Sequence, residues 1–220
     1  MNEITILMTL ASIHFIALMS PGPDFALVVQ NATRHGRQTG IYIALGLSLG
    51  ILVHSLFSLT GISYLVHTQP TLFAIVQFAG GSYLLYLGYG ALRATVANIF
   101  NHQEDQTNEA SNDLVLTNKR EALSKGFMTN ILNPKALVFF VSLMSSLVPV
   151  DMSLTGKGVA LIILWGLSFF WFALLAWMLS TKKLQTRLKE ASIYIDALCG
   201  AVFTIVGASI LWQTAMSLMA

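Results

Sequence analysis

Apolar residues gather in six long runs, at about 4–32, 40–66, 70–93, 125–148, 157–180 and 194–217. A helix needs about 20 residues to cross the hydrocarbon core of a bilayer. Each run meets that length and predicts a transmembrane helix. Polar residues collect between the runs, most of all from Thr95 to Ser124. That stretch holds Asn, Gln, Glu, Asp and Lys with little periodicity, and it reads as a solvated loop. The predicted fold is an all-α integral membrane protein of six transmembrane helices. Residues 1–94 and 125–220 are its two three-helix parts, and 95–124 links them within one membrane domain.

Composition supports a bilayer as the solvent. Of 220 residues, 55% are hydrophobic and 10% are charged, against about 25% charged in a soluble domain. The net charge of +2 is too small to suggest a nucleic-acid partner. One cysteine, Cys199, excludes an internal disulfide framework. The N-terminus carries no basic segment before its first apolar run. It therefore reads as a retained helix rather than a cleaved signal.

The placement of basic residues predicts an orientation. Arg34 and Arg37 follow span 1. Arg93, Lys119, Arg120 and Lys125 lie between or at the ends of spans 3 and 4. Lys182, Lys183, Arg187 and Lys189 separate spans 5 and 6. These are ten of the twelve Lys and Arg residues. The positive-inside rule puts the loops 33–39, 94–124 and 181–193 in the cytoplasm and both termini outside. Of the other two, Lys157 falls in an outer loop and Lys135 lies inside span 4.

The two halves echo one another. Span 1 carries Pro23-Asp24 and span 4 carries Pro134-Lys135, each a proline followed by one charge. Gly46-Leu47-Ser48 in span 2 matches Gly166-Leu167-Ser168 in span 5. Gly81 and Gly88 in span 3 match Gly200 and Gly207 in span 6 at the same spacing, which sets Gln77 opposite Asp196. An odd number of spans per repeat forces the second half to enter from the other side. The expectation is a 3+3 inverted-topology repeat, with a site between broken helices near the midplane, as in many secondary transporters.

Asp24 lies ten residues before Arg34, and Lys135 ten residues after Lys125. Ten helical residues rise about 15 Å, half of the roughly 30 Å core. Both charges are thus expected at mid-depth, where each costs about 2.5–3.5 kcal/mol to insert. One reading is a buried ion pair that only fixes helix packing. The other is a polar cavity bordered by both groups. Pro21, Gly22, Pro23 and Pro134 break the two helices and free backbone polar groups, which are tolerated where they line a cavity. Helix N-termini attract carboxylates. A zwitterionic amino acid would find an anionic partner in Asp24 and a cationic one in Lys135.

Further polar residues are candidates of lower rank. Asn130 and Asn133 flank the second break and would contact substrate or cap the break. Gln77, Asp196, His14 and His54 are candidates for a gate or relay. For the histidines the plainer alternative is a packed, hydrogen-bonded side chain. The glycines at 46, 50, 80, 81, 88, 90, 200 and 207 are expected to permit close helix packing. Trp165, Trp171, Trp177 and Trp212 read as packing or interface residues. No motif calls for a metal or another cofactor.

Ala17-Leu18-Met19-Ser20-Pro21-Gly22-Pro23-Asp24-Phe25 resembles the signature of the LysE/RhtB superfamily of amino-acid exporters. Asn130-Ile131-Leu132-Asn133-Pro134-Lys135-Ala136 resembles its second signature. Tyr83 to Gly88, with Leu92-Arg93, resembles its third-span pattern. The wording of the first motif is most similar to the threonine and homoserine exporters. The resemblance covers nearly the whole chain. It implies efflux of a small amino acid driven by protons across a bacterial inner membrane, with Asp24 and Lys135 as the family's carboxylate and lysine. It also allows a homodimer. The expected mechanism is alternating access, with no enzymatic activity. Rival readings are a metal-ion exporter, which needs clustered ligands, and a thiol-redox carrier, which needs a cysteine pair. A membrane protease and a structural or sensory protein are weaker rivals.

Overall fold

The computed structural model describes residues 2–20, 22–101, 118–178 and 182–219. These form eight helices: α1 (Glu3–Met19), α2 (Pro23–His35), α3 (Arg37–Thr68), α4 (Pro70–Asn101), α5 (Lys119–Ile131), α6 (Pro134–Leu147), α7 (Leu154–Met178) and α8 (Lys182–Met219). Helices α3, α4, α7 and α8 each contain a segment long and apolar enough to cross a membrane. The pairs α1–α2 and α5–α6 qualify as two more spans if each bent pair is one crossing, with bends of 57° and 59°.

Proline chemistry explains both bends. The residue before a proline is pushed out of the α region. Ser20, which precedes Pro21, is extended (φ −61°, ψ 125°) and ends α1. Asn133, which precedes Pro134, is also extended (φ −80°, ψ 106°). Pro23 and Pro134 then occupy the first turns of α2 and α6, where a missing N–H costs nothing. Pro21 itself lies outside the described residues.

Several elements outrun the apolar segments that predict them. Helix α4 continues to Asn101 rather than ending near residue 93, and α8 starts at Lys182 rather than near 194. The polar link expected over 95–124 is therefore helical over 95–101 and from Lys119 onward. Residues 102–117 and 181 lie outside the described ones. Hydropathy reports only the apolar part of a helix, while Lys, Gln, Glu and Leu, which populate 119–124 and 182–193, are good helix formers in water; the continuation of α4 over 94–101 holds none of these four residue types. Helices α2 and α3 are joined at Gly36, whose φ of +85° is a left-handed conformation suited to glycine.

Side chains are distributed as a bilayer demands. Large apolar groups such as Phe57, Phe78, Tyr86, Phe170, Ile205 and Trp212 are exposed. Polar groups including His14, Asn31, Ser48, His54, Asn130, Asn133 and Ser168 are buried inside the bundle. Lipid tails are as apolar as leucine, so helices associate through close packing and interior hydrogen bonds. Helix α3 packs on both halves of the second bent pair, α5 and α6. Helix α7 packs on both halves of the first, α1 and α2. Helix α4 lies along α8.

Two crossings bring backbones into contact. A Cβ at Gly46 would run into the Leu123 carbonyl oxygen, and one at Gly126 into that of Ile43. Between α4 and α8, a Cβ at Gly207 would meet the Gly81 carbonyl oxygen at 2.7 Å, and one at Gly88 would meet that of Gly200 at 2.9 Å. Gly90 departs from the close-packing expectation, because nothing lies within 4 Å of the site of its absent Cβ.

Candidate functional site

The two helix breaks face one another across a cavity of about 70 Å³. One water needs about 10–15 Å³ of such space, so the cavity holds several waters or a small solute. Ser20, Gly22, Pro23 and Asp24 line it from the first break, and Asn130, Asn133 and Lys135 from the second. His14 borders it from α1. Phe25, Phe139, Phe140, Phe172 and Phe203 supply apolar walls.

Asp24 is the second residue of α2. Its Oδ2 accepts from Asn130 Nδ2 at 2.6 Å, and its Oδ1 accepts from Asn133 Nδ2 at 3.3 Å. Asn133 also caps α6, its Oδ1 accepting from the Lys135 backbone N–H at 3.0 Å. One side chain thus ends a helix break and holds the carboxylate. Lys135 Nζ donates to Ser20 Oγ at 2.8 Å and stands 5.7 Å from the centroid of Phe203. Asp24 takes its hydrogen bonds from the two asparagines rather than from the ammonium of Lys135. The pair therefore differs from a closed ion pair that would serve packing alone. Both charges border open space.

The start of α2 adds an anion-seeking feature. Its N-cap is Gly22, which offers no side-chain cap. The first N–H groups of a helix have no acceptor within it. A Cβ at Gly22 would lie 3.7 Å from Lys135 Nζ. The ammonium thus stands beside this helix start, and glycine leaves the approach to it clear.

The other candidate residues separate into distinct roles. His54 donates from Nε2 to the Asn130 carbonyl oxygen at 3.1 Å and stacks on Phe140 with an interplanar angle of 9°. It satisfies a carbonyl next to the break and is not part of the cavity lining. Gln77 Nε2 donates to the Ser145 carbonyl oxygen at 3.1 Å, and Thr214 Oγ1 approaches Gln77 Oε1 at 3.5 Å. It ties α4, α6 and α8 together away from the cavity. Asp196 is half-buried on α8 and lies within Coulombic range of Lys135, but it does not line the cavity. Among the described residues no three His, Cys, Asp or Glu side chains converge as a metal site would require.

Ser20 and the five phenylalanines are additions to the sequence-derived set. Ser20 was visible as the hydroxyl just before the first break. Nothing in the sequence separates the five cavity phenylalanines from the other eight of the chain's thirteen.

The sequence also has known relatives. The LysE type translocator family matches residues 15–214. The threonine efflux protein of Escherichia coli K12 is 30% identical over 198 residues, covering 89% of this chain and 92% of its own. The leucine efflux protein of Klebsiella pneumoniae is 30% identical over 195 residues, covering 86% of each. An uncharacterized membrane protein of Haemophilus influenzae is 29% identical over 208 residues, covering 94% of this chain and 96% of its own. No solved structure matches the chain significantly. With a match running through both helix breaks and all six apolar segments, the chain belongs to the LysE type translocator family.

Proposed function

We propose that this protein exports a small amino acid from the cytoplasm by proton-coupled alternating access. The observation that carries this reading is the shared cavity between the two breaks, with a carboxylate on one wall and an ammonium on the other. An amino acid carries the complementary charges. Its ammonium group suits Asp24. Its carboxylate suits Lys135 together with the uncapped start of α2. The matching relatives named for threonine and leucine efflux support the same cargo class. The proton is assigned to Asp24, which would bind cargo when ionised and release it when protonated.

An inverted repeat underlies the mechanism. The sequence match sets Gly81 against Gly200 and Gly88 against Gly207. Applied to the Gly81–Gly207 contact, that match returns the Gly88–Gly200 contact, and both are present. A pseudo-two-fold axis has this property.

The grouping of the helix ends into two opposite sides has support at both ends of the bundle, while the assignment of the cytoplasmic side rests on the basic residues. Glu3 accepts from the Ser153 backbone N–H at 2.8 Å and from Ser153 Oγ at 2.9 Å. This joins the start of α1 to the start of α7, two places predicted to lie outside. Arg37 lies 5.7 Å from the Trp177 ring and Lys119 lies 5.6 Å from the Tyr42 ring. These contacts join the ends predicted to lie in the cytoplasm of a bacterial inner membrane.

The test is an efflux assay. Cells preloaded with dipeptides are compared with and without the protein while extracellular amino acids are quantified. Faster release of one or more amino acids, slowed by collapse of the proton gradient, is the expected result. Equal release of every amino acid with and without the protein would overturn the reading.

A further inference from the structure

The His14 ring touches the cavity yet plays no part in holding Asp24 or Lys135. It is 1% exposed, and it stands against Phe139 and Phe140 at ring-centroid distances of 6.3 and 5.5 Å. Its Nε2 lies 3.2 Å from the Leu164 carbonyl oxygen and 2.8 Å from Ser168 Oγ. The carbonyl can only accept. Ser168 Oγ spends its own proton on that same carbonyl at 2.6 Å, so it too offers His14 a lone pair. Two acceptors at Nε2 require the hydrogen to be there. The other nitrogen, Nδ1, is then a lone-pair acceptor. It is buried and has no hydrogen-bond partner in the protein. Buried acceptors are rarely left bare, and an orphan of this kind calls for an explanation.

We infer that His14 reads the side chain of the cargo, with Nδ1 accepting a hydrogen bond from a donor that the side chain carries. This rests on the amino-acid reading above and deepens it. The placement fits. His14 lies five residues before Met19, the last residue of α1, or about 7.5 Å along the helix axis. Cargo held by its charged groups at the breaks shares its cavity with the His14 ring, and Phe139 and Phe140 line the same cavity beside that ring. Ser168 and Leu164 act at one remove: they fix the tautomer that keeps Nδ1 an acceptor. A site with an unpaired acceptor favours a cargo that pairs it over an isostere that does not.

The experiment compares threonine with valine, which has a methyl in place of the hydroxyl. Cells expressing the protein are preloaded with threonylthreonine or valylvaline, and initial export rates are divided by intracellular concentration. The wild type is expected to export threonine about three- to tenfold faster, the worth of one neutral hydrogen bond. His14→Leu should bring the ratio close to one by slowing threonine. His14→Asn, whose amide oxygen reaches the Nδ1 position, should restore part of the preference. Equal export of both by the wild type overturns the inference and leaves amino-acid export standing. So does His14→Leu slowing both equally at unchanged membrane abundance. Export of neither overturns the inference and leaves the cargo reading to the wider efflux assay. If His14→Leu does not reach the membrane, the same ratio is read in His14→Phe, which also lacks the acceptor.

Discussion

Asn130 Nδ2 stands 2.6 Å from Asp24 Oδ2, joining two positions 106 residues apart across the meeting point of two broken helices. Two side-chain amides donate to the carboxylate. A hydrogen bond to a charged group contributes about 1.5–3 kcal/mol. Asn130→Ala is expected to slow export at least tenfold, since about 1.4 kcal/mol is a factor of ten. Asn133→Ala, which removes the longer 3.3 Å bond, should slow it less but also lose the cap of α6. Export rates normalised to membrane abundance decide between these effects. Equal rates for Asn130→Ala and wild type would remove Asn130 from the site.

Neutralising either charge should stop transport. Asp24→Asn and Lys135→Met are each expected to reduce export to the level of cells lacking the protein. Both variants should still be recovered in the membrane fraction, because each removes a charge that is costly to bury. Near-normal export by both would show that neither group handles cargo.

Gly22 offers a steric test that leaves both charges in place. Its backbone is extended (φ −177°, ψ −176°), a conformation open to any residue. The space where its Cβ would sit adjoins Lys135 Nζ at 3.7 Å. Gly22→Val should therefore fold, insert, and transport poorly, with a larger defect than Gly22→Ala. Measured export that does not fall with side-chain size would argue against cargo passing this point.

The glycine crossings predict a sharp contrast in stability. Gly46→Ala forces a methyl onto the Leu123 carbonyl oxygen, and overpacking of this kind costs about 1–3 kcal/mol or more. Gly90→Ala meets open space and should be neutral or slightly stabilising, since alanine favours a helix over glycine by about 1 kcal/mol. Thermal unfolding in detergent should show a lower midpoint for the first variant alone.

Orientation can be read by labelling. Cys199 is fully buried and should contribute little background. A membrane-impermeant thiol reagent applied to whole cells should label Lys157→Cys and spare Arg120→Cys. The reverse pattern would invert the assigned topology.

The elements were legible in the sequence to differing degrees. Spans 2, 3, 5 and 6 announce themselves by uninterrupted hydropathy, and the prolines at 23 and 134 mark where the other two bend. The charges at 24 and 135 stand out because a bilayer makes them costly. Their partners do not. That Asn130 and Asn133 hold the carboxylate, and Ser20 the ammonium, depends on how the two breaks meet in space. His54 shows the same limit: only the fold reveals that it satisfies the Asn130 carbonyl oxygen. Helix ends outside the membrane were misjudged because hydropathy falls silent where helix propensity continues.

The contact of α4 with α8 constrains how such a molecule can move. Where main chain touches main chain at two points a turn or two apart, sliding would drive Cα atoms into carbonyl groups. These two helices, 32 and 38 residues long, are thus held in fixed register like the leaves of a riveted hinge. In the proposed rocking of the two halves that seam would be the fulcrum, and the largest displacement would fall on the short, bent segments that carry Asp24 and Lys135.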